Sequence, residues 1–411
     1  MLKSLYGLPQ AGRNWYLLFC GILSRSLGMT KSRVEGCNFS KVNKKLNMNT
    51  FVQFHVDDNI MESNDKVFAD KVMEKMHELF GGTRIWKSKE FDFLQMHITR
   101  QDDYSITVDN AAYVMDIVER RYLENMAKEF SKHRGCITPS NLELFMEEED
   151  PNYVPVEQDK TDYKGAIGEL IHALYVRIDI LKEVTFLAKK SEIPGPKAWK
   201  AYRRIIHYLY HFPSLPINFR SKVGDIVTCY VDASFACHQK SKSHSGMIVT
   251  IGENGGPIQV KSKMQKLHSD SSSEAELIAT ATCVNYGLFV ARVCQDVELI
   301  PCELLLLNLK QDNMSTIKII ENGEGSGGLA KYMRVRYDKI TSLLEEKVVK
   351  IVHCPGDDMI CDFLTKPMVG AEFLRQIVRA MYHGDYEEFK KQAELAWRRV
   401  TDAKKKIVKD K

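Results

Sequence analysis

Four acidic residues in the second half of the chain have the types and spacing of a metal site. They are Asp232 in YVDASF, Glu276 in SSSEAELIAT, Asp312 in LLLLNLKQDNMS and Asp362 in CPGDDMICDFLTKP. Each aspartate stands at or near the end of a predicted strand, whereas the glutamate lies on a predicted helix. Carboxylates that come together from separate elements repel one another unless cations lie between them. We therefore expect the four to hold two Mg²⁺ ions, with Mn²⁺ as the alternative, around a phosphodiester, which is the chemistry of a nuclease.

The elements that must position these residues alternate between short apolar strands and helices. Two of the strands are separated by a turn at 253–256 that is typical of a hairpin. A glycine-rich loop at 323–328 separates the last two helices. Strands and helices in this order predict an α/β (α+β) fold around a mixed sheet. The predicted strands are 226–232, 247–252, 257–263, 304–309 and 348–353, and the helices are the segment after 273, 315–321 and 337–347.

Each carboxylate also has an ordinary structural interpretation. An aspartate after a strand is most often a turn residue, and Ser-x-x-Glu is most often a helix cap. Glu274 and Glu276 lie two apart, so a helix points them in nearly opposite directions and one of them faces a metal. A capping box from Ser271 to Glu274 would leave Glu276 for the metal.

Five short motifs in this half resemble the ribonuclease H domain of copia-type retrotransposon Pol polyproteins. Any one of them is a weak signal, but five in the same order within one domain-sized stretch are specific. The resemblance implies hydrolysis of the RNA strand of an RNA–DNA hybrid by two metal ions, held by the four carboxylates, with Asp232 bridging both ions. The motifs are DAS at 232–234, KSHSG at 242–246, SSEAE at 272–276, DNMS at 312–315 and DFLTKP at 362–367.

Two segments of the first half resemble copia-type reverse transcriptase. Residues 2–16, which include Gln10, are similar to a segment that contacts the incoming nucleotide and the template. Residues 51–58 are similar to the hairpin of the polymerase palm, in which Asp57 and Asp58 would face a nucleotide-bound Mg²⁺. An Asp-Asp pair alone is usually a polar turn. This class of polymerase takes a further aspartate from a strand before the first segment, so we expect an incomplete palm and no polymerase activity from this chain alone.

Basic and aromatic residues interleave between the two halves. Lys200, Arg203 and Arg204 are candidates for phosphate contacts that carry no sequence information. An amphipathic helix with a solvated basic face explains the same pattern equally well. The predicted domains are a partial reverse transcriptase palm at 1–130, a mostly helical thumb or connector at 131–222, a ribonuclease H-like domain at 223–368 and a charged helical tail at 369–411.

Composition sets limits without deciding the function. The net charge of +4 permits nucleic-acid binding but does not argue for it. Ten cysteines without any Cys-x-x-Cys spacing indicate reduced thiols and an intracellular location, cytoplasmic or nuclear. We expect no membrane partner, because no stretch is long and apolar enough to span a bilayer.

The leading hypothesis is a retrotransposon-derived ribonuclease H fused to an incomplete RNA-directed DNA polymerase. Its expected partner is an RNA–DNA hybrid or another nucleic acid, with no small-molecule cofactor, and the sequence leaves the oligomeric state open. The alternative is a catalytically inactive or co-opted nucleic-acid-binding relic of a copia-type element. Retained carboxylates favour the enzyme, whereas departures from the family motifs favour the relic.

Overall fold

The computed structural model describes residues 8–81, 84–85, 87–122, 138–139, 149–150, 152–222, 224–253, 255–297, 306–322 and 331–409. The chain divides into two compact units. The first unit contains Met1–Leu94 and Leu288–Leu305, and the second contains Gln95–Gly287 and Leu306–Lys411. The domain boundaries expected at 130, 222 and 368 stay predictions.

The first unit contains an antiparallel sheet of four strands, which are, in order across the sheet, β1 (Thr30–Lys31), β2 (Asn38–Asn43), β3 (Met48–His55) and β4 (Asp58–Ser63). Alternate residues of the third strand, Thr50, Val52 and Phe54, are buried, as the two-residue period of a strand requires when one face meets a core. That core contains Phe19 of helix α1 (Ala11–Gly21) and Phe68 of helix α2 (Lys66–Phe80). The unit also contains the short strand β5 (Glu90–Phe93).

The second unit is organised around a five-stranded mixed sheet. Its strands are β9 (Val227–Ser234), β10 (His244–Ile251), β11 (Gln259–Met264), β12 (Leu307–Gln311) and β13 (Val349–His353). Their order is β11-β10-β9-β12-β13. Strand β10 runs antiparallel to both β9 and β11, whereas β12 lies parallel to both β9 and β13. The central strand β9 is buried over Val227–Asp232, which matches its nearly continuous apolar sequence.

Three helices pack near this sheet. They are α7 (Ser272–Asp296), α8 (Met314–Asn322) and α9 (Lys331–Glu345). Leu277 and Ile278 of α7 share a cluster with Ile320 of α8 and Tyr337 of α9. The cluster fixes the first turns of α7 within the second unit, and those turns carry one of the predicted metal ligands.

A larger core joins the remaining helices of this unit. Ile205 of the connector and Ile377 of the C-terminal segment are both fully buried in it, beside Phe363 from the last of the five motifs. The same unit contains the antiparallel strands β6 (Met96–Arg100), β7 (Ile106–Asp109) and β8 (Ile217–Phe219). Its other helices are α3 (Ala111–Arg121), α4 (Glu157–Ala173), α5 (Leu181–Ala188), α6 (Pro196–His211), α10 (Gly370–Tyr382) and α11 (Tyr386–Lys409).

The mixed α/β fold expected from the sequence is confirmed, and the elements differ from the predicted ones mainly at their ends. Helix α9 begins at Lys331, six residues before its predicted start, and β10 begins at His244 instead of residue 247. Residues 304 and 305 of the predicted fourth strand and the glycine-rich loop 323–328 lie outside the described residues.

The statement that no segment is apolar enough to cross a membrane is corrected for one helix. By length and composition α7 is such a segment, although 67% of its most apolar window is buried inside the protein. The core helix of a folded domain passes the same test of length and composition.

Candidate active site

Asp232 lies near the end of the central strand β9 and is only 1% exposed. Its Oδ2 accepts a hydrogen bond from the hydroxyl of Thr365, and its Oδ1 lies 3.1 Å from the ammonium nitrogen of Lys366. Both partners come from the turn that follows β13. The central carboxylate is therefore held by groups more than a hundred residues away in the sequence.

Asp312 reaches the same place from the neighbouring strand. Tyr230 of β9 pairs with Lys310 of β12 in the parallel register, so Asp232 and Asp312 each lie two residues beyond a paired position. The carboxyl ends of parallel strands meet at one edge of a sheet, where ligands of open α/β sheets commonly bind. Asn313, directly after Asp312, accepts a hydrogen bond at 2.9 Å from the backbone N–H of Thr316 in α8. This cap fixes the point at which the chain leaves the sheet.

Glu276 is the glutamate of α7 that faces the aspartates. Glu274 instead caps the helix: its Oε2 accepts from the backbone N–H of Asp270 at 2.7 Å, while its own N–H donates to Ser271 Oγ at 3.2 Å. The predicted capping box forms with one change, because the backbone N–H that Glu274 accepts from belongs to Asp270 instead of Ser271. The capping role of Glu274 is therefore as expected, and metal binding by Glu276 stays a prediction. Glu276 is 4% exposed, and its Oε1 accepts from the backbone N–H of Ala233 at 3.0 Å.

Gln311 supports Glu276 from the sheet. Its side-chain nitrogen Nε2 donates to Glu276 Oε2 and to Thr280 Oγ1, both at 3.2 Å. Its side-chain oxygen Oε1 accepts from the backbone N–H of Asn313 at 2.9 Å. Gln311 is fully buried, so these bonds are not shared with water. The amide fixes one carboxylate oxygen and leaves the carboxylate directed at the two aspartates.

One oxygen atom from each of Asp232, Glu276 and Asp312 lies within 4.8 Å of the other two. Burial and the neighbouring carboxylates raise the pKa of Glu276 well above its ordinary value. Burial also raises the pKa of Asp232, although Lys366 acts in the opposite direction. Carboxyl groups this close resist full ionisation unless a cation lies among them. A set of three oxygen ligands fits Mg²⁺ or Mn²⁺ and fits Zn²⁺ poorly.

Asp362 does not belong to this group of three. Its Oδ2 lies 2.9 Å from the ammonium of Lys366, and its Oδ1 is buried without a hydrogen-bond partner among the described residues. Burial and the charge of Asp232 raise the pKa of Asp362 to about 6, although Lys366 acts in the opposite direction. The four carboxylates predicted to hold metal thus separate into a cluster of three and a lysine-bridged pair, with Asp232 in both.

Lys366 and Thr365 belong to the DFLTKP motif, and the sequence-based expectations include no contact for either side chain. Although burial lowers the pKa of Lys366, its ion pairs with Asp232 and Asp362 raise it overall, so the side chain keeps its positive charge. The spacing of Asp362 and Lys366, four residues apart, was a signal for one contact between them. The contact with Asp232 required knowledge of the fold.

The predicted polymerase residues lie in the first unit. Asp57 and Asp58 are exposed at the tip of the hairpin formed by β3 and β4, where His55 pairs with Asp58. Gln10 is exposed at the start of α1. The indole N–H of Trp15 in α1 donates to the carbonyl of Val56, so this helix is attached to the hairpin tip. The hairpin has the expected form, and its role at a nucleotide stays a prediction.

The three basic residues proposed for phosphate contacts lie on α6 but do not share one surface. Lys200 is exposed and Arg203 is half-buried. Arg204 is only 2% exposed and donates from Nε to the carbonyl of Thr138 at 2.9 Å. A guanidinium in the interior does not reach a nucleic-acid backbone on the surface, so the prediction for Arg204 is corrected. The assignments of Lys200 and Arg203 stay predictions.

The fold and the clustered carboxylates define an α/β protein with an acidic candidate site at the edge of a mixed sheet. In sequence the chain is related to retrotransposon Pol polyproteins. It is 26% identical over 369 residues, 89% of its length, to the Retrovirus-related Pol polyprotein from transposon TNT 1-94 of Nicotiana tabacum. It is 23% identical over 90% of its length to the Pol polyprotein from transposon RE2 of Arabidopsis thaliana.

A third relative is the Transposon Ty1-DR6 Gag-Pol polyprotein of Saccharomyces cerevisiae, which is 22% identical over 89% of this chain. The chain spans about a quarter of the length of these curated relatives: 26%, 24% and 21%, respectively. No family model matches the chain. The relatives confirm the resemblance to copia-type Pol polyproteins over nearly the whole sequence.

Among solved structures, the chain is similar to RNase H1 from Halobacterium salinarum, with 14% identity and a TM-score of 0.24. That similarity covers 34% of this chain and 93% of the other. It is also similar to the Prototype Foamy Virus Protease-Reverse Transcriptase, with 11% identity and a TM-score of 0.23, over 86% of this chain and 59% of the other.

Proposed function

We propose that the second unit is a metal-dependent endoribonuclease of ribonuclease H type that cleaves the RNA strand of an RNA–DNA hybrid. The observation that carries this proposal is the convergence of Asp232, Glu276 and Asp312, one ligand oxygen from each within 4.8 Å of the others. These residues come from a central strand, a helix and a neighbouring parallel strand. Three carboxylates this close repel one another, so the arrangement is energetically costly. Such clusters are typical of functional sites and not of turn residues.

The protein's own residues prepare the site for a divalent cation. Ala233 and Gln311 fix Glu276, and Thr365 fixes Asp232, so the ligand oxygens keep their positions. When bound, Mg²⁺ supplies Lewis acidity to a phosphodiester oxygen and to an attacking water. In the overall hydrolysis a water oxygen bonds to phosphorus and the bond from phosphorus to the 3′ oxygen breaks. The products are a 5′-phosphate and a 3′-hydroxyl.

In the two-ion form of this mechanism, which the family resemblance implies, Asp232 and Asp362 would hold a second cation. The ammonium of Lys366 lies there, 3.1 Å from one carboxylate and 2.9 Å from the other. A fixed positive charge beside a bound phosphodiester stabilises negative charge that develops on its oxygens.

The hybrid is proposed as the substrate because the five ribonuclease H motifs occur in order and the relatives are Pol polyproteins. Lys200 and Arg203 of α6 are proposed to contact its backbone. Such contacts weaken with salt and carry no sequence preference.

The test is cleavage of an end-labelled RNA–DNA hybrid by the purified chain with Mg²⁺, compared with single-stranded RNA, double-stranded RNA and double-stranded DNA. Asp232→Asn removes one ligand charge at the centre of the site. Asp338→Asn makes the same chemical change at an exposed position of α9 and serves as the control. Cleavage of the hybrid by the parent and the control, and not by Asp232→Asn, is the expected result. Binding of the hybrid without cleavage by any of the three would instead favour a nucleic-acid-binding module.

A further inference from the structure

Lys366 bridges two of the four carboxylates that the sequence assigns to metal ions. Its ammonium nitrogen lies 3.1 Å from Asp232 Oδ1 and 2.9 Å from Asp362 Oδ2. Magnesium bound to the same oxygens would lie about 2.0–2.1 Å from them. The ammonium and a divalent cation therefore cannot occupy the space between these carboxylates together.

The turn that carries Lys366 is held in place from two sides. The carbonyl of Lys366 accepts a hydrogen bond at 2.7 Å from the ammonium of Lys182, a residue of α5 that is 9% exposed. The hydroxyl of Thr365 donates to the other oxygen of Asp232. The backbone of this turn is thereby fixed on both the connector and the central strand, which orients the lysine toward the carboxylate pair.

Asp362 supplies a second, independent observation. Its Oδ1 is buried and has no hydrogen-bond partner among the described residues, although Asp362 as a whole is only 7% exposed. The ammonium of Lys366, on the other oxygen, is therefore the cation that balances the charge of this carboxylate among the described residues. The pair Asp232 and Asp362 is thus a cation site in which a lysine is the cation.

We propose that Lys366 takes the place of a second divalent cation. The chain then binds one divalent ion, at Asp232, Glu276 and Asp312, and Asp362 is the ion partner of Lys366 instead of a metal ligand. This inference rests on the proposed function for the reaction that the site performs, but it makes a separate claim about cation number. In that reaction Lys366 supplies the positive charge at the position of the second ion.

The experiment counts bound Mn²⁺ by electron paramagnetic resonance, in the presence of a hybrid whose RNA strand carries 2′-O-methyl groups and is not cleaved. The parent is expected to bind one Mn²⁺. Lys366→Gln, which frees Asp362 and removes the ammonium, is expected to bind two. Lys350→Gln removes one positive charge from an exposed position of β13 and is expected to bind one.

Two further variants test whether loss of the ammonium is the cause. Lys366→Arg keeps a cation at the pair and is expected to bind one Mn²⁺. Lys366→Gln combined with Asp362→Asn removes the freed ligand and is expected to return the count from two to one. A melting curve by circular dichroism shows that each variant is folded before its ions are counted.

Other outcomes overturn the inference, and they are distinct from failure of the proposed function. Two ions in the parent, or one ion in Lys366→Gln, overturn the claim for Lys366 whether or not the hybrid is cleaved. One ion in the parent and two in Lys366→Gln, with no cleavage of an unmodified hybrid, support the claim and overturn the nuclease. No bound Mn²⁺ in the parent overturns both.

Discussion

Gly246 lies opposite Asp232 in the antiparallel register of β10 and β9. A Cβ atom at this glycine would lie 2.7 Å from Thr365 Cγ2 and 2.9 Å from Leu364 Cβ. The missing side chain therefore lets the turn after β13 pack directly on the sheet. Close packing at this point places the Thr365 hydroxyl on Asp232 and Lys366 beside it.

Gly246→Ala is expected to lower both stability and cleavage. The added methyl group must displace the turn, and overpacking of a close-packed core costs about 1–3 kcal/mol. Displacement of Thr365 and Lys366 weakens their contacts with Asp232, so hybrid cleavage should fall more than hybrid binding. Denaturant unfolding and single-turnover cleavage measure the two effects.

Gly165→Ala is the matched control for this substitution. Gly165 lies exposed in α4, and an added methyl group there would meet no described atom within 4 Å outside its own helix backbone and chain neighbours. Alanine at this position should raise stability by roughly 0.5–1 kcal/mol, because glycine inside a helix is destabilising. Equal effects of the two substitutions would contradict the argument from close packing.

Divalent cations are expected to raise the melting temperature of the parent. Asp232, Glu276 and Asp312 repel one another without a cation, and a ligand that binds only the folded state stabilises it by mass action. At a cation concentration a hundred times the dissociation constant this amounts to about 2.7 kcal/mol. Melting curves in EDTA and in Mg²⁺ or Mn²⁺ provide the measurement.

Asp232→Asn separates this effect from general ionic stabilisation. The variant should melt at a higher temperature than the parent in EDTA, because one of the mutually repelling charges is gone, and should show a smaller gain with Mg²⁺. Ca²⁺ and raised NaCl serve as ionic controls. A cation-dependent gain that is the same in Asp232→Asn and in the parent would place the bound cation elsewhere.

The sequence predicted one site of four carboxylates, and the structure brings oxygen atoms of three of them, Asp232, Glu276 and Asp312, within 4.8 Å of one another. These three lie at or near a strand end or in the first turns of a helix, where the sequence pattern is strong. The order of strands, and hence the meeting of Asp232 and Asp312, follows from motifs that resemble a known domain. The contacts of Lys366 with Asp232 and of Lys182 with the Lys366 carbonyl depend on tertiary packing and have no local signal. The burial of Arg204 was missed for the same reason, since its position on an amphipathic helix does not reveal what packs against it.

Gln311 offers a test of how Glu276 is oriented. Gln311→Ala removes the donor to Glu276 Oε2 and to Thr280 Oγ1 in a fully buried position. Loss of a partner from a buried polar group costs about 1–3 kcal/mol, so unfolding should occur at lower denaturant concentration. Cleavage should fall because the carboxylate is no longer fixed.

Gln311→Glu sharpens the test, because it adds a fourth carboxylate of nearly the same shape. In EDTA this variant should be less stable than Gln311→Ala, and Mg²⁺ should recover more of its stability. A Gln311→Glu protein that is as stable as the parent in EDTA would contradict the description of the site as a cluster of repelling charges.

The C-terminal helix α11 is expected to stabilise the second unit through an ion pair with Asp109. Arg399 Nη2 lies 2.8 Å and 2.7 Å from the two carboxylate oxygens of Asp109, which is 4% exposed. Arg399→Ala leaves this buried carboxylate without its cation, although Ala111 N still donates to it at 3.0 Å. A loss of about 1–3 kcal/mol in the free energy of unfolding is expected. Arg399→Lys should restore part of it, and an unchanged stability in Arg399→Ala would show that water replaces the pair.

A buried histidine pair predicts a pH dependence of stability. His244 is buried between His238, 2.8 Å from its Nδ1, and Ser262 Oγ, 2.7 Å from its Nε2. Because the Ser262 hydroxyl donates to the carbonyl of Leu364 at 2.8 Å, it accepts from His244, whose proton is therefore on Nε2. The Nδ1 atom of His244 then accepts a hydrogen bond from the Nε2–H group of His238. His244 therefore cannot take up another proton without the loss of a hydrogen bond.

Burial lowers the pKa of His238 to about 4 and that of His244 to about 2. The unfolded state therefore binds more protons than the folded state below a pH of about 6.5, the ordinary value for histidine. Stability should be fully present above that pH and should fall as the pH drops from there toward 4. Each histidine that takes up a proton only on unfolding contributes a slope approaching about 1.4 kcal/mol per pH unit.

Urea unfolding at a series of pH values between 4 and 8 measures this slope. His244→Gln removes one of the two groups and should reduce the slope, whereas His268→Gln, at an exposed position, should leave it unchanged. Because carboxylates also titrate at the lower end of this range, the difference between the parent and His244→Gln is the quantity that tests the prediction. Parallel curves for these two proteins would show that His244 has the same proton affinity in the folded and unfolded states.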